Sequence, residues 1–149
     1  VNQANWSPSL SFSSIWGTSD DNMYFTVGNE LRRWTGSGYT VIPLDNGTDG
    51  ESRALGGLAG IHANGVDELF LSGYAVDATH TATWSIFHFD GTTWAVSFTL
   101  PQTVTNGAND VWGSDVNNVY IPGDDDKIYH FANGTWTPKT VTCVALDKV

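Results

Sequence analysis

The sequence predicts an all-β fold built from three copies of one repeat. Each copy begins with an apolar residue followed by a residue with a ring side chain, Trp or His. Seven residues after this ring residue, another apolar residue begins a run typical of a strand. The copies are residues 15–25, 61–71 and 111–121. The rings are Trp16, His62 and Trp112, which lie 46 and 50 residues apart. Self-similarity at such a period indicates a repeat architecture.

Each copy continues with a second half in the same order. The bulky runs of this half lie at residues 31–34, 86–89 and 128–131. An aromatic residue then opens a short run rich in Thr, Val and Ser, at Tyr39, Trp94 and Trp136. The runs are β-branched or aromatic and are separated by Asp-Gly, Asn-Gly, Gly-Gly and Ser-Gly pairs, which are typical of strands and turns. We therefore expect four strands, A to D, in every repeat.

The third strand of a repeat carries bulk on both faces. Ile86 and His88 share one face because side chains alternate along a strand, and Phe87 and Phe89 share the other. A sheet covered on both sides is what a blade between two neighbouring blades requires, and 46 to 50 residues is the length of a four-stranded propeller blade. The sequence thus predicts a β-propeller segment in one domain, 1–149, with repeats at roughly 11–55, 56–105 and 106–142.

The number of repeats does not close a ring. Residues 4–10 resemble the opening of a D strand, which predicts an extra N-terminal strand out of phase with the three repeats. Propellers have about four to eight blades, so three would leave two open flanks with aromatic faces. We expect either a homo-oligomer in which a second copy closes the ring, this chain being half of it, or the missing blades of a larger parent protein.

The repeat pattern also resembles a known group of proteins. Val-Trp-Gly-Ser at 111–114, Asn-Val-Tyr at 118–120, Ile-Tyr-His-Phe at 128–131 and Gly-Thr-Trp at 134–136 resemble the repeats of secreted and surface bacterial β-propeller proteins. More loosely, they are similar to tectonin-type lectin propellers. The resemblance implies a propeller fold and an extracellular or cell-surface location. The sialidase Asp-box is not met, because Asp90 and Gly91 are adjacent and His88 holds the place of its Ser.

Composition narrows the class of partner. The formal net charge is −10, with only 15% charged residues, which disfavours nucleic acid and anionic lipid surfaces. No apolar run reaches the roughly eighteen residues needed to span a bilayer, so no membrane insertion is expected. A neutral surface rich in hydroxyl and aromatic groups favours a glycan, because aromatic rings stack on the apolar faces of sugars.

Candidate ligand residues lie in a long insertion of the second repeat. Tyr74, His80 and Trp84 belong to this insertion and have no counterparts in the other two repeats, whereas the repeat-equivalent tryptophans are expected to pack between blades. The four histidines form no evident pair with a nucleophile, and no carboxylate pair stands out, so we expect no enzyme.

One loop partly matches a calcium-binding pattern. Asp45, Asp49 and Glu51 supply oxygen donors at positions one, five and seven, with Gly50 at position six. The donor at position three and the distant Glu of such loops are missing. No cofactor is expected, and calcium at this loop is the one candidate ion.

These observations predict a function in order of preference. First comes a non-catalytic extracellular binding module that recognises a glycan or another surface partner in a lectin-like way. The alternative is a structural or adhesive repeat segment of a larger surface protein. A hydrolase of the sialidase or lyase type is third.

Overall fold

The computed structural model describes residues 11–44, 54–65, 67–76, 81–105 and 108–141. Within these ranges the chain forms strands, turns and loops and contains no helix. No span fit to cross a membrane as a helix is therefore found among them. The strands form three antiparallel sheets in chain order, which confirms the prediction of an all-β fold for the described residues. The predicted extra strand at 4–10 lies outside the described residues.

The first and third sheets share one plan, a meander of four strands. The first contains β1 (Phe12–Ser19), β2 (Asn22–Val27), β3 (Glu30–Trp34) and β4 (Tyr39–Ile42). The third contains β10 (Trp112–Asp115), β11 (Asn118–Pro122), β12 (Lys127–Ala132) and β13 (Thr135–Thr140). The β12–β13 turn is Asn133-Gly134, both at positive φ (50° and 77°), the conformation that a tight two-residue hairpin requires.

The middle sheet follows the same plan with its first strand divided in two. It contains β5 (Ala54–Gly56), β6 (Ile61–Ala63), β7 (Leu69–Val76), β8 (Ala82–Phe89) and β9 (Trp94–Thr99). β6 pairs with one end of β7 and β5 with the other, on the edge that β8 leaves open. β5 starts just before the repeat boundary expected at residues 55–56. The strands β7 and β8 pair along their full eight residues, so this hairpin extends past β6 and β9, and β5 pairs with its far end.

Two apolar cores lie between consecutive sheets. Along β7, Leu69 and Leu71 belong to the core shared with the first sheet, and Phe70 belongs to the core shared with the third. In the first core, the first sheet contributes Tyr24 and Leu31. The alternation of side chains along β7 therefore places bulk in both cores, and the middle sheet is covered on both faces.

The first strands of the three sheets lie side by side. β6 contacts both β1 and β10. Just before β6, a Cβ on Gly60 would lie 2.6 Å from the Cα of Asp110 and the backbone nitrogen of Val111. The two backbone segments are therefore so close that only glycine fits at position 60. The ring of Trp16 meets that of His62 edge-on at 6.0 Å. Consecutive sheets are thus in direct contact at their first strands.

Candidate functional site

An open pocket of about 550 Å³ lies at the end of the middle sheet where β7 and β8 extend furthest. One wall is the end of this hairpin and the other is the segment that follows β9. The described lining residues are Tyr74, Thr81, Ala82, Thr83, Trp84, Leu100, Pro101, Gln102, Val104 and Thr105. The size lies within the range of about 300 to 1,000 Å³ that is usual for small-molecule sites.

Two aromatic side chains stand together in this pocket. Tyr74 and Trp84 are direct cross-strand partners on β7 and β8, and their rings meet edge-on with centroids 5.5 Å apart. The Tyr74 ring lies against Gly57, where an added Cβ would fall 2.2 Å from ring carbon Cε1. Gly57 also adopts a positive φ of 53°, so a side chain here would be both strained and in collision with the ring. The backbone of the middle sheet therefore fixes the position of Tyr74.

Trp84 is held from both its main chain and its side chain. Its carbonyl oxygen accepts a hydrogen bond from the Leu100 N–H at 2.9 Å, which joins the two walls of the pocket. Its indole Nε1–H donates to the carbonyl oxygen of Thr105 at 3.4 Å. The ring is half-buried and packs against the core between the middle and third sheets. Trp84 thus presents a fixed aromatic surface.

The second wall is tied to the third sheet. Asp124, in the loop between β11 and β12, accepts hydrogen bonds from the Thr105 N–H at 3.2 Å and 3.0 Å and from the Thr105 hydroxyl at 3.0 Å. Within the wall, the Val104 N–H donates to the Pro101 carbonyl at 2.9 Å. A segment without regular structure is therefore held in place on both sides.

The lining carries polar groups but no charge among its described residues. Hydroxyl groups come from Tyr74, Thr81, Thr83 and Thr105, and an amide comes from the exposed Gln102. Hydroxyl and amide groups both donate and accept hydrogen bonds. Such a site suits a ligand that is neutral, hydroxylated and partly apolar.

The structure brings together two of the three ligand residues expected from the sequence. Tyr74 and Trp84 line the pocket, while His80 lies outside the described residues. No residue of the second wall, 100–105, was expected from the sequence. The only signal in that segment is a polar run, Pro-Gln-Thr-Val-Thr, directly after a strand.

The proposed calcium ligands fall outside the part of the chain that the structure describes. Asp45, Asp49 and Glu51 all lie in the gap between residues 44 and 54. Among the described residues, no three His, Cys, Asp or Glu side chains form a group that could hold a metal ion. Calcium binding by the loop stays a prediction.

The described histidines have hydrogen-bonded neighbours within their own sheets. His88 Nε2 lies 2.9 Å from Glu68 Oε1, and the imidazole of His88 stacks on a phenylalanine ring at 4.4 Å. His130 Nε2 lies 2.8 Å from Asn118 Oδ1. His62 Nε2 lies 3.2 Å from Asn64 Oδ1, and burial lowers the pKa of His62.

A second set of titratable groups supports the β11–β12 loop. Asp125 Oδ2 accepts a hydrogen bond from Lys127 Nζ at 2.5 Å and another from the Tyr129 hydroxyl at 2.8 Å. The hydrogen bond from Lys127 is the largest cause that lowers the pKa of Asp125. Burial, with the carboxylate beside it, raises the pKa of Tyr129 to about 12. These groups anchor the β11–β12 loop. Asp124, the residue before Asp125 in this loop, accepts the hydrogen bonds from Thr105 in the pocket wall.

Comparisons with protein-family models, curated proteins and solved structures found no match for this chain. The resemblance to bacterial propeller repeats therefore stays an expectation based on the quoted motifs.

Proposed function

We propose that the chain is a β-propeller segment that acts as a non-catalytic extracellular binding module for a neutral saccharide. The observation that carries the proposal is the paired rings of Tyr74 and Trp84 in a pocket edged with hydroxyl groups. The walls of a sugar-binding site need these two components, an aromatic face for the C–H groups of the ring and polar groups for its hydroxyls.

The arrangement of the sheets supports the propeller part of the proposal. Three sheets follow one another in chain order with an apolar core between each of the two consecutive pairs. Their first strands are in contact, as the innermost strands of propeller blades are around a central axis. The pocket then lies where loops of two adjacent blades meet, since Thr105 of its wall binds Asp124 of the next sheet.

Charge decides which class of sugar is favoured. The described lining is uncharged, and the chain as a whole carries a formal charge of −10. An anionic sugar would meet long-range repulsion without a basic partner in the described wall. Neutral hexoses and their short oligomers are therefore the preferred ligands.

Contacts within the protein position both rings in the absence of a ligand. Gly57 supports Tyr74, and the bonds from Leu100 and to Thr105 fix Trp84. A preformed site loses less conformational entropy on binding, which favours affinity for a small ligand.

The test is a screen of neutral and sialylated glycans, followed by calorimetric titration of the neutral ones that bind. Replacing Trp84 by Ala is expected to weaken binding at least about tenfold, the effect of losing roughly 1.4 kcal/mol. The control is Thr92→Ala, in the exposed turn at the opposite end of the β8–β9 hairpin, which should bind like the parent.

Because Trp84 also packs against a core, Gln102→Ala is a second variant at an exposed wall position. It should keep the parent melting temperature and bind several-fold more weakly. No binding to any neutral glycan, or full binding by a folded Trp84→Ala protein, would overturn the proposal.

A second candidate function is a structural or adhesive repeat segment. It is favoured by the large apolar side chains exposed on the outer faces of the first and third sheets, such as Ile15 and Trp112. A chain that assembles but binds no glycan would support this alternative.

A further inference from the structure

Equivalent residues of the three repeats differ sharply in exposure according to the sheet they occupy. Ile15, Ile61 and Val111 hold the same place in the repeat. Ile15 is 67% exposed, whereas Ile61 and Val111 are each 3% exposed. The two buried residues are covered by the preceding sheet, and Ile15 has no preceding sheet among the described residues.

The opposite end of the stack shows the same contrast. Trp112 is 59% exposed, whereas its equivalent His62 is 8% exposed. Tyr120 is only half-buried, while its equivalents Tyr24 and Phe70 are fully buried. The buried members are covered by the following sheet, which the third sheet lacks within the described part of the chain.

We call the outer face of the first sheet the leading face and that of the third sheet the trailing face. The pairing registers place the exposed Ile15, Tyr39 and Val41 and the half-buried Trp34 on the leading face, together with the buried side chains of Phe25 and Arg32. They place Trp112, Tyr120, Ile128, His130 and Lys139 on the trailing face. Both faces present large apolar side chains, which mark interaction surfaces on soluble proteins.

The contact between the middle and third sheets shows how a trailing face receives a leading face. Phe70 meets the rings of Phe131 at 5.7 Å and Trp136 at 6.5 Å. His62 Nε2 lies 2.9 Å from the point where a Cβ on Gly113 would stand, so its ring rests on the bare backbone of the next first strand. The residues in both contacts have equivalents in the other repeats.

The two open faces carry the same complementary positions. On the trailing face Tyr120 is the equivalent of Phe70, and Trp112 is the equivalent of His62. On the leading face, Trp34 and Tyr39 are the equivalents of Phe131 and Trp136, and Gly17 is the equivalent of Gly113. Two side chains of the first sheet have to move aside for the same contact: Met23 Cγ lies 2.7 Å from where a Cβ on Gly17 would stand, and the Arg32 guanidinium lies 4.6 Å from the centroid of the Tyr39 ring. A trailing face can therefore pack on a leading face as the middle sheet packs on the third.

We propose that the trailing face of one copy binds the leading face of a second copy, twice, so that two chains close a ring of six sheets. The contact is heterologous, because it joins two different faces head to tail. The ring closes because the trailing face of the second copy binds the leading face of the first. Six sheets lie within the range of about four to eight that propellers use. This inference is independent of any ligand in the pocket.

The first measurement is the mass in solution at tens of micromolar by light scattering, in moderate salt to screen repulsion between two chains of charge −10. The expected mass is about twice the chain mass of 16.1 kDa. A single-chain mass for a folded sample would overturn the proposal and leave other blades as the occupants of these faces. A series of ever longer oligomers would overturn the closed ring.

Two surface variants test the head-to-tail order. Ile15→Lys disrupts the leading face and Trp112→Glu the trailing face, and both positions are exposed, so each variant should fold like the parent. Each alone is expected to be a single chain. The exposed Thr92→Lys variant in the β8–β9 turn is the matched control and should keep the two-chain mass.

Mixing the two variants separates head-to-tail packing from packing of like faces. A mixed pair retains one intact contact, the trailing face of Ile15→Lys on the leading face of Trp112→Glu. We therefore expect the two-chain species to return in the mixture, with lower affinity than the parent. No return on mixing, or a two-chain mass for either variant alone, would contradict the proposal.

Discussion

The middle sheet and the third sheet carry the same repeat but bury it differently. On β7, Leu69, Phe70, Leu71 and Ser72 are all buried. On β11, the side chains alternate between fully buried, as at Val119 and Ile121, and more exposed, as at Tyr120. Two covered faces produce the first pattern and one covered face produces the second.

Two properties of a repeat have different origins: the face on which a residue lies, and the burial of that face. Alternation along a strand decides which face a residue lies on, and this is local. Whether that face is buried depends on the neighbouring sheet, which is formed by residues about 50 positions away. Identical motifs can therefore serve as core in one sheet and as surface in another.

The largest expected effect comes from truncating equivalent rings of the two sheets. Phe70→Ala should lower the free energy of unfolding by about 3 to 5 kcal/mol, because it leaves a cavity against Phe131 and Trp136. Tyr120→Ala should cost less than about 1 kcal/mol in a dilute sample, since its ring is half-exposed. Denaturant unfolding below the association concentration measures both.

If Phe70→Ala does not fold, Phe70→Leu keeps the comparison measurable with an expected loss of about 1 to 2 kcal/mol. Similar losses for the variants of Phe70 and Tyr120 would mean that the two faces are not covered differently.

An intermediate effect is expected from one hydroxyl in the third sheet. Tyr129 fills the position that Phe87 fills in the middle sheet, and both side chains are buried. Only Tyr129 needs a partner for its hydroxyl, which it finds in Asp125 at 2.8 Å. Tyr129→Phe should lower the free energy of unfolding by about 1.5 to 3 kcal/mol, the usual range for a hydrogen bond to a charged group.

Tyr120→Phe is the control for this variant, because a half-exposed hydroxyl can bond to water instead. Its thermal unfolding should match the parent within about 0.5 kcal/mol. A Tyr129→Phe protein as stable as the parent would show that the hydroxyl bond contributes nothing net.

The smallest effect is a pH dependence at His62. Burial lowers the pKa of His62 in the folded chain below its unfolded value of about 6.5, so the unfolded chain binds more protons between the two values. The contribution is fully present above about pH 6.5 and is lost as the pH falls through the folded pKa. Melting temperatures at about pH 7.5 and about pH 5.5 measure this loss.

His62→Phe keeps a ring in the same place and removes the proton. The drop in melting temperature between the two pH values should therefore be smaller for this variant than for the parent. An equal drop in both proteins would assign the pH dependence to other groups.

Part of the candidate site could be predicted from the sequence. Tyr74 and Trp84 stood out because they interrupt the repeat pattern, and they do line the pocket. The second wall could not be predicted in this way, because Leu100 and Thr105 bond to Trp84 through their own backbone N–H and carbonyl groups, across 16 and 21 residues. Bonds of the backbone leave no trace in side-chain identity.

The division of the first strand of the middle sheet was also not predicted. Gly57 supports a tyrosine ring and Gly60 touches the backbone of the next sheet. Glycines mark such close approaches, but a glycine between two strands reads equally well as an ordinary turn. The structure decides between these interpretations by showing what lies beside each glycine.

By itself the sequence determined the repeat, the succession of strands in the first and third sheets and the alternation of faces along the third strands, since all three follow from local periodicity and turn chemistry. Only the tertiary structure decided which faces are covered, how the pocket obtains its second wall and why Ile15 and Trp112 are exposed while their equivalents are buried. The reason is that burial depends on contacts between distant segments, and these form only when whole sheets stack.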